Sequence, residues 1–232
     1  MFIKLFEKVI GKFKNEPDYK FKNEYTLQKL FYIFLYRFAQ ILRGVYIKVF
    51  IHSKGFVFCG RRVVIEHGYN LRAGKQLILE DGVHINALSV KGVSFGNNVT
   101  ISKYAVLICT GVIANEGIGI TIGNNSAIGA QSFLGGQGGI IIGNDVIMGP
   151  QVSIFSENHS YEDSSAIIRK QGESRKGVLI NDNCWIGAGS KILDGVVIGK
   201  GCVIAAGSVV TRSVPDDALV AGIPAKVIKY RV

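Results

Sequence analysis

The sequence predicts an all-β solenoid with an N-terminal α-helical arm and a short C-terminal tail. Three observations carry this. Aliphatic residues recur every six positions from Ile180 to Val210, whereas a strand with one buried face repeats every two. Glycine is abundant, at 29 residues against 4 prolines, which suits many tight backbone turns rather than a collagen or a flexible linker. Before the repeats, apolar residues fall at helical spacing.

The arm is read as residues 1–62. Through Arg62 the chain holds 13 Lys/Arg against 4 Asp/Glu, and the remainder holds 14 against 13, so the net charge of +10 belongs almost wholly to the arm. An anionic membrane surface or another polyanion is the natural partner of such a segment, with a merely solvated basic face as the plainer alternative. No nucleic-acid partner is expected. From Thr26 to about Phe50 the apolar positions are Leu27, Leu30, Phe31, Phe34, Phe38, Ile41, Leu42, Val45 and Val49, interleaved with Lys29, Arg37, Arg43 and Lys48. This reads as an aromatic-rich amphipathic helix. Two roles stay open and are compatible on different faces. The helix packs on the repeat body or a neighbouring subunit, or it lies in a membrane interface with its lysines and arginines toward lipid phosphates. Met1 to Ile10 carries Lys4, Glu7 and Lys8 and does not read as a signal peptide. The longest uncharged apolar run in the arm, Leu30 to Tyr36, is far short of a membrane span. The expected location is the cytoplasm, with the arm able to hold the chain peripherally at the inner face of the membrane.

The repeat body is read as residues 63–214. Ile180, Ile186, Ile192, Ile198, Ile204 and Val210 form an unbroken series, each followed four positions later by a compact residue: Cys184, Ser190, Val196, Cys202, Ser208 and Val214. The same phase appears upstream in Ile122-Gly123, Ile128-Gly129, Ile142-Gly143 and Met148-Gly149. Each hexapeptide supplies one short strand and one corner, with the aliphatic side chain pointing into a narrow triangular core. Glycine or asparagine takes corners where a side chain is unwelcome or φ is positive. Three hexapeptides close a coil, stacked coils pair their strands at about 4.8 Å, and roughly seven coils fit. Residues six apart are expected to share one wall of this prism. Interruptions mark departures from the coil: Phe95 to Ile122 leaves slack around Gly111 to Gly119, and Ile122 to Ile142 leaves slack in Gly135 to Gly139. The polar stretch at about 156–177 is a protruding loop, where binding and chemistry are expected on a rigid scaffold. Residues 215–232 form the tail.

Cys59, Cys109, Cys184 and Cys202 are scattered, without metal-ligand spacing, and read as reduced buried thiols. No metal is expected. A β-helical carbonic anhydrase needs three histidine ligands, and His52, His67 and His84 lie far upstream of His159 with no ligand-like spacing.

The stretches GNDVIMGPQVSIFSENHSYE and NDNCWIGAGSKILDGVVIGKGCVIAAGSVVTRSVPDDALVAGIPAKVIK resemble the hexapeptide-repeat acyltransferases, left-handed parallel β-helix proteins, in their branch of galactoside, maltose and polysaccharide O-acetyltransferases. The left hand comes from this resemblance alone, since general chain sterics favour right-handed crossovers. The resemblance implies an acetyl-CoA-dependent O-acetyltransferase with His159 as general base. An alcohol attacks a thioester only if a neighbouring base takes its proton, and a backbone N–H would steady the oxyanion. No covalent intermediate is required. Trp185, Ala188, Ala206, Thr211, Arg212, Lys226 and Lys229 occupy the coenzyme-contacting positions, with Thr211-Arg212 standing where the family has Thr-Lys. Gln131, Glu157 and Asn158 are the acceptor-contacting candidates. Glu157, Glu162 or Asp163 could orient the imidazole, and Arg169 and Arg175 either bind an anionic acceptor or are solvated. The family also implies a homotrimer with active sites between subunits. The basic arm, in place of a short N-terminal cap, favours a surface glycan or its lipid-linked precursor as acceptor. The alternatives are N-acetylation of a nucleotide-linked amino sugar and a non-catalytic scaffold.

Overall fold

The computed structural model describes residues 2–14, 17–22 and 25–232. Met1, Asn15, Glu16, Asn23 and Glu24 of the arm lie outside the described residues. Two helices, α1 (Phe2–Lys14) and α2 (Leu27–Ile47), precede strands of two to six residues. Thr26 caps α2 by accepting the Lys29 N–H on its hydroxyl.

The chain visits three sheets in turn, so each sheet is built from every third strand. The first face runs from His52–Ser53 to Val197–Ile198 and the third from Val64–Glu66 to Val209–Val210, each with seven parallel strands. The second face runs from Val57–Cys59 and is extended at its far end by Ala218–Gly222 and Ala225–Tyr230, for nine strands in all. Seven coils therefore stack, as the spacing suggests.

Inside, Ile180, Ile186, Ile192, Ile198, Ile204 and Val210 are all buried, and so are the compact residues four positions after each. One expectation needs correcting. Residues six apart do not share a wall; Ile186, Ile192 and Ile198 sit on successive walls and share the interior. Residues one coil apart share a wall, as in Ile180 over Ile198, Ile186 over Ile204 and Ile192 over Val210. Each aliphatic thus meets neighbours above, below and across.

The body also begins earlier than residue 63. His52–Ser53 pairs with Arg72–Ala73, and Val57–Cys59 pairs with Leu77–Leu79. Its first strands carry only Val57 and Cys59 to the core, too few to display the six-residue phase. At the other end, the tail's Ala218–Gly222 continues the second face, placing Val220 over Ile204.

The corners divide two duties between neighbouring residues. A Cβ at Gly123 would stand 2.6 Å from the Gly143 carbonyl carbon one coil on, so close approach demands glycine there. Positive φ falls two residues later, at Asn125, with φ 55°. A side-chain ladder fastens this edge: Asn97 N–H donates to Asn124 Oδ1 (2.7 Å), Asn124 N–H to Asn144 Oδ1 (2.8 Å), and Asn144 N–H to Asp182 Oδ1 (2.7 Å).

Helix α2 docks on the first strand of the second face. Arg43 Nε donates to the Cys59 and Gly60 carbonyls at 2.9 and 3.2 Å. By length and composition α2 is long and apolar enough to cross a membrane. Counting uninterrupted runs conceals this, because Arg37 and Arg43 break the sequence yet lie toward the body in the helix.

Candidate active site

His159 stands on a hairpin that leaves the third face after Phe155 and re-enters the first face at Val178. Asn158–His159 pairs antiparallel with Glu173–Ser174, with His159 opposite Glu173. The exit is pinned by the buried Ser156, whose hydroxyl donates to the Gly135 carbonyl (2.6 Å) and accepts the Gly138 N–H (2.9 Å). The re-entry is pinned by Asp194, which accepts the Lys176 N–H (3.0 Å) and the Gly177 N–H (2.8 Å). At the tip, Asp163 accepts the Ser165 hydroxyl (2.6 Å) and N–H (2.9 Å), which hold its carboxyl below the usual range. Gln171 closes the tip through the Asp163 and Ala166 carbonyls.

The His159 side chain is exposed, and among the described residues its ring has no hydrogen-bond partner. The three carboxylates expected to compete for it are engaged elsewhere. Glu157 accepts Arg175 Nε at 2.7 Å, Glu162 accepts the Tyr161 N–H at 3.1 Å, and Asp163 serves the tip turn. Arg175 is neither solvated nor free for an anionic acceptor. It also donates to Asn115 Oδ1 (2.8 Å), while Asn115 Nδ2 donates to Glu173 Oε2 (3.2 Å). A ring of contacts thereby ties the hairpin to the excursion between Cys109 and Gly119. Arg169 remains exposed on the hairpin. Sequence reasoning missed Asp194 and Asn115, because both act across the coils on partners far away in the chain.

The coenzyme-contacting candidates gather elsewhere. On the outer side of the second face, Ile147, Trp185, Val203, Leu219 and Lys229 form one row across adjacent strands. Trp185 is 57% exposed, and beside it lies an open depression of about 280 Å³ lined by Asp145, Ile147, Trp185, Val203 and Arg231, among others. Lys226 lies on the same terminal strand as Lys229. Next to this row, the corner between second and third faces is stripped to small residues. A Cβ at Gly149 would stand 2.7 Å from Ala188 N, and one at Gly187 would stand 2.5 Å from Ala206 N. Gln131 occupies the same corner, accepting Gln151 Nε2 at 3.2 Å. Thr211 and Arg212 are exposed just beyond the last third-face strand.

The structure therefore groups Gln131, Trp185, Ala188, Ala206, Lys226 and Lys229 along the second face and its corner. Glu157, Asn158 and His159 sit at the junction of the third and first faces, the edge of the prism opposite the second face. One chain does not bring the two groups together. Among the described residues no cluster of three His, Cys, Asp or Glu could hold a metal, and all four thiols are buried and unpaired.

The three-faced stack of six-residue turns with a pinned hairpin defines a class of fold, and comparison with known proteins shows what it is similar to. Residues 177–212 match the bacterial transferase hexapeptide (six repeats) and residues 114–150 the hexapeptide repeat of succinyl-transferase. A probable acetyltransferase of Mycobacterium tuberculosis is 30% identical over 198 residues, covering 85% of this chain and 58% of that protein. The galactoside O-acetyltransferase of Lactococcus lactis is 44% identical over 89 residues, covering 38% of this chain and 42% of that protein. A solved structure of AntD, an N-acyltransferase from Bacillus cereus, shares the fold with a TM-score of 0.58 at 22% identity, covering 82% of this chain and 89% of that one. The chain carries hexapeptide repeats of the bacterial transferase type over the two matched stretches. It spans about half the length of the curated relatives it matches.

Proposed function

We propose that this protein moves an acetyl group from acetyl-CoA to a hydroxyl of a surface glycan or its lipid-linked precursor, with His159 as general base. It works as a trimer of left-handed coils in the cytoplasm, at the inner face of the membrane. The observation that supports this best is the division of the candidate residues. An imidazole without a partner projects at one edge of the prism, while an exposed indole and two lysines lie on the face opposite, beside a corner of small residues. Two copies set side by side complete a site that one copy leaves in halves.

The division of labour follows from the chemistry of the groups. The corner at Ala188 and Ala206 presents no side chain larger than a methyl group, and a Cβ at Gly207 beside it would meet nothing within 4 Å, so a slender pantetheine arm can run along its outside. Arg212, Lys226 and Lys229 supply cations at the far end of the coil for phosphates. Trp185 offers an apolar wall on the thioester side. His159 takes the acceptor's proton as the carbon–oxygen bond forms and returns it to the departing thiolate. Glu157 and Asn158, adjacent on the same hairpin, and Gln131 on the corner are placed to contact the acceptor.

The test is thiol release from acetyl-CoA in the presence of hydroxyl-bearing glycan fragments. His159→Ala is expected to lower kcat by roughly 10²–10⁴-fold with an unchanged melting temperature, since the side chain is exposed. Undiminished transfer by that variant overturns the reading. Transfer to amino sugars alone would assign the protein to N-acetylation instead.

A further inference from the structure

Helix α2 is mounted inside out. Its buried residues are Leu30, Gln40 and Gly44. Its polar groups point to the body: Arg37 Nη1 donates to Gln40 Oε1 at 2.7 Å, the Arg37 guanidinium lies 5.9 Å from the centre of the Phe58 ring, and Arg43 bonds the Cys59 and Gly60 carbonyls. Facing outward are Phe31, Phe34, Phe38, Leu42, Val45 and Val49, the last 78% exposed. A surface helix in water does the reverse, burying its apolar stripe and exposing its charges. A contiguous aromatic and aliphatic face of this kind marks a contact surface rather than a solvated one.

We infer that this face lies in an anionic lipid bilayer surface, with α2 flat in the interface. Three features select lipid over another occupant. Lys48 and Lys54 are exposed at the end of the helix and just beyond it, and Lys4 and Lys8 are exposed on α1, which meets α2 through the edge-on Phe6–Phe34 pair. Such a cationic fringe around an apolar face complements acidic headgroups. A second copy of this chain brings the same cations to the same contact and is repelled by them. Finally, α2 is long enough to span, but the two arginines and Gly44 fasten it to the body. A Cβ at Gly44 would overlap the Val57 carbonyl oxygen, so helix and strand touch backbone to backbone. A helix held along its side by a water-soluble prism lies on the bilayer rather than across it.

This places the orientation opposite to that expected from the sequence: the arginines of α2 serve the protein, and the headgroups are met by flanking lysines. The contact gives a specific meaning to the membrane location proposed above, yet it is independent of the transfer chemistry, because binding is measured without turnover. The experiment is co-sedimentation of the full chain with vesicles of phosphatidylcholine alone and with about one-third phosphatidylglycerol. The expected result is binding to the mixed vesicles that falls at least tenfold in Phe38→Asp and in Leu42→Asp. Raised salt should weaken that binding without abolishing it. Both side chains are exposed, so the variants keep the wild-type circular dichroism and acetyl-CoA turnover on a soluble acceptor. Binding that both variants retain, or that salt removes entirely, overturns the insertion of this face. Absence of vesicle binding together with concentration-dependent association that Leu42→Asp abolishes overturns it in favour of a second copy. Point variants are preferable to deleting residues 1–50, which would uncover Val57 and Cys59.

Discussion

Arg175 offers the sharpest test of how the hairpin carries its histidine. The perturbation is Arg175→Met, which keeps most of the stem and removes the guanidinium. The Arg175–Glu157 pair closes at 2.7 Å with side chains only 16% and 21% exposed. A freely exposed pair contributes about 0–1 kcal/mol, and stripping one partner from a buried pair costs about 3–5 kcal/mol. This pair lies between the limits, and the short bond to Asn115 Oδ1 is lost with it. A local cost of about 2–3 kcal/mol is therefore expected, equivalent to roughly 30–150-fold in the population of the closed hairpin.

The cost is local because no residue of the aliphatic interior lies on the hairpin between Glu157 and Gly177. The melting temperature should move by only a few degrees while kcat falls at least tenfold. KM for acetyl-CoA should hold, since none of its proposed contacts lies on the hairpin. Hydrogen exchange at the Ser160 amide, which donates to the Gly172 carbonyl at 3.1 Å, should accelerate in step with the loss of kcat. Arg175→Lys should recover part of the rate, because it restores a charge but not the forked geometry. If Arg175→Met keeps kcat within twofold while the Ser160 amide exchanges freely, the hairpin does not position His159. If neither changes, the contact network has no energetic role.

Two further outcomes test the packing. Gly44→Ala would normally gain about 1 kcal/mol in helix propensity, but the added Cβ meets the Val57 carbonyl, so the melting temperature should fall; a rise would mean that α2 does not rest on that strand. Burial pushes the thiols of Cys109 and Cys184 up to about 11 from an ordinary value of 9.0. Protons are therefore held more tightly in the folded state, so stability is complete below pH 9 and declines as pH rises toward 11. Urea midpoints measured from pH 8 to 11 should show this decline, and Cys109→Ala should flatten it. An unchanged slope in that variant would remove the thiol from the explanation.

What the sequence disclosed and what it withheld have one physical origin. Interior positions of a narrow prism admit only aliphatic or compact residues, so Ile180 to Val210 reveal the coil, its corners and the phase on which Trp185 and Ala188 fall. Helical spacing shows which residues of α2 share a face, but not which medium that face meets. Arg37, Gln40 and Arg43 could equally have faced water, and only the carbonyls of Cys59 and Gly60 decide that Arg43 does not. Contacts between excursions carry no period at all: Arg175 and Asn115 are separated by 60 residues and meet only because stacked coils set their loops side by side. The separation of base and indole is topological: His159 and Trp185 are close in sequence, but the chain passes from the third face to the first before reaching the second. His159 leaves the third face at its edge with the first while Trp185 stands on the second, so base and indole lie on different sides of the prism, and the proposed chemistry draws on a neighbouring copy to bring them together.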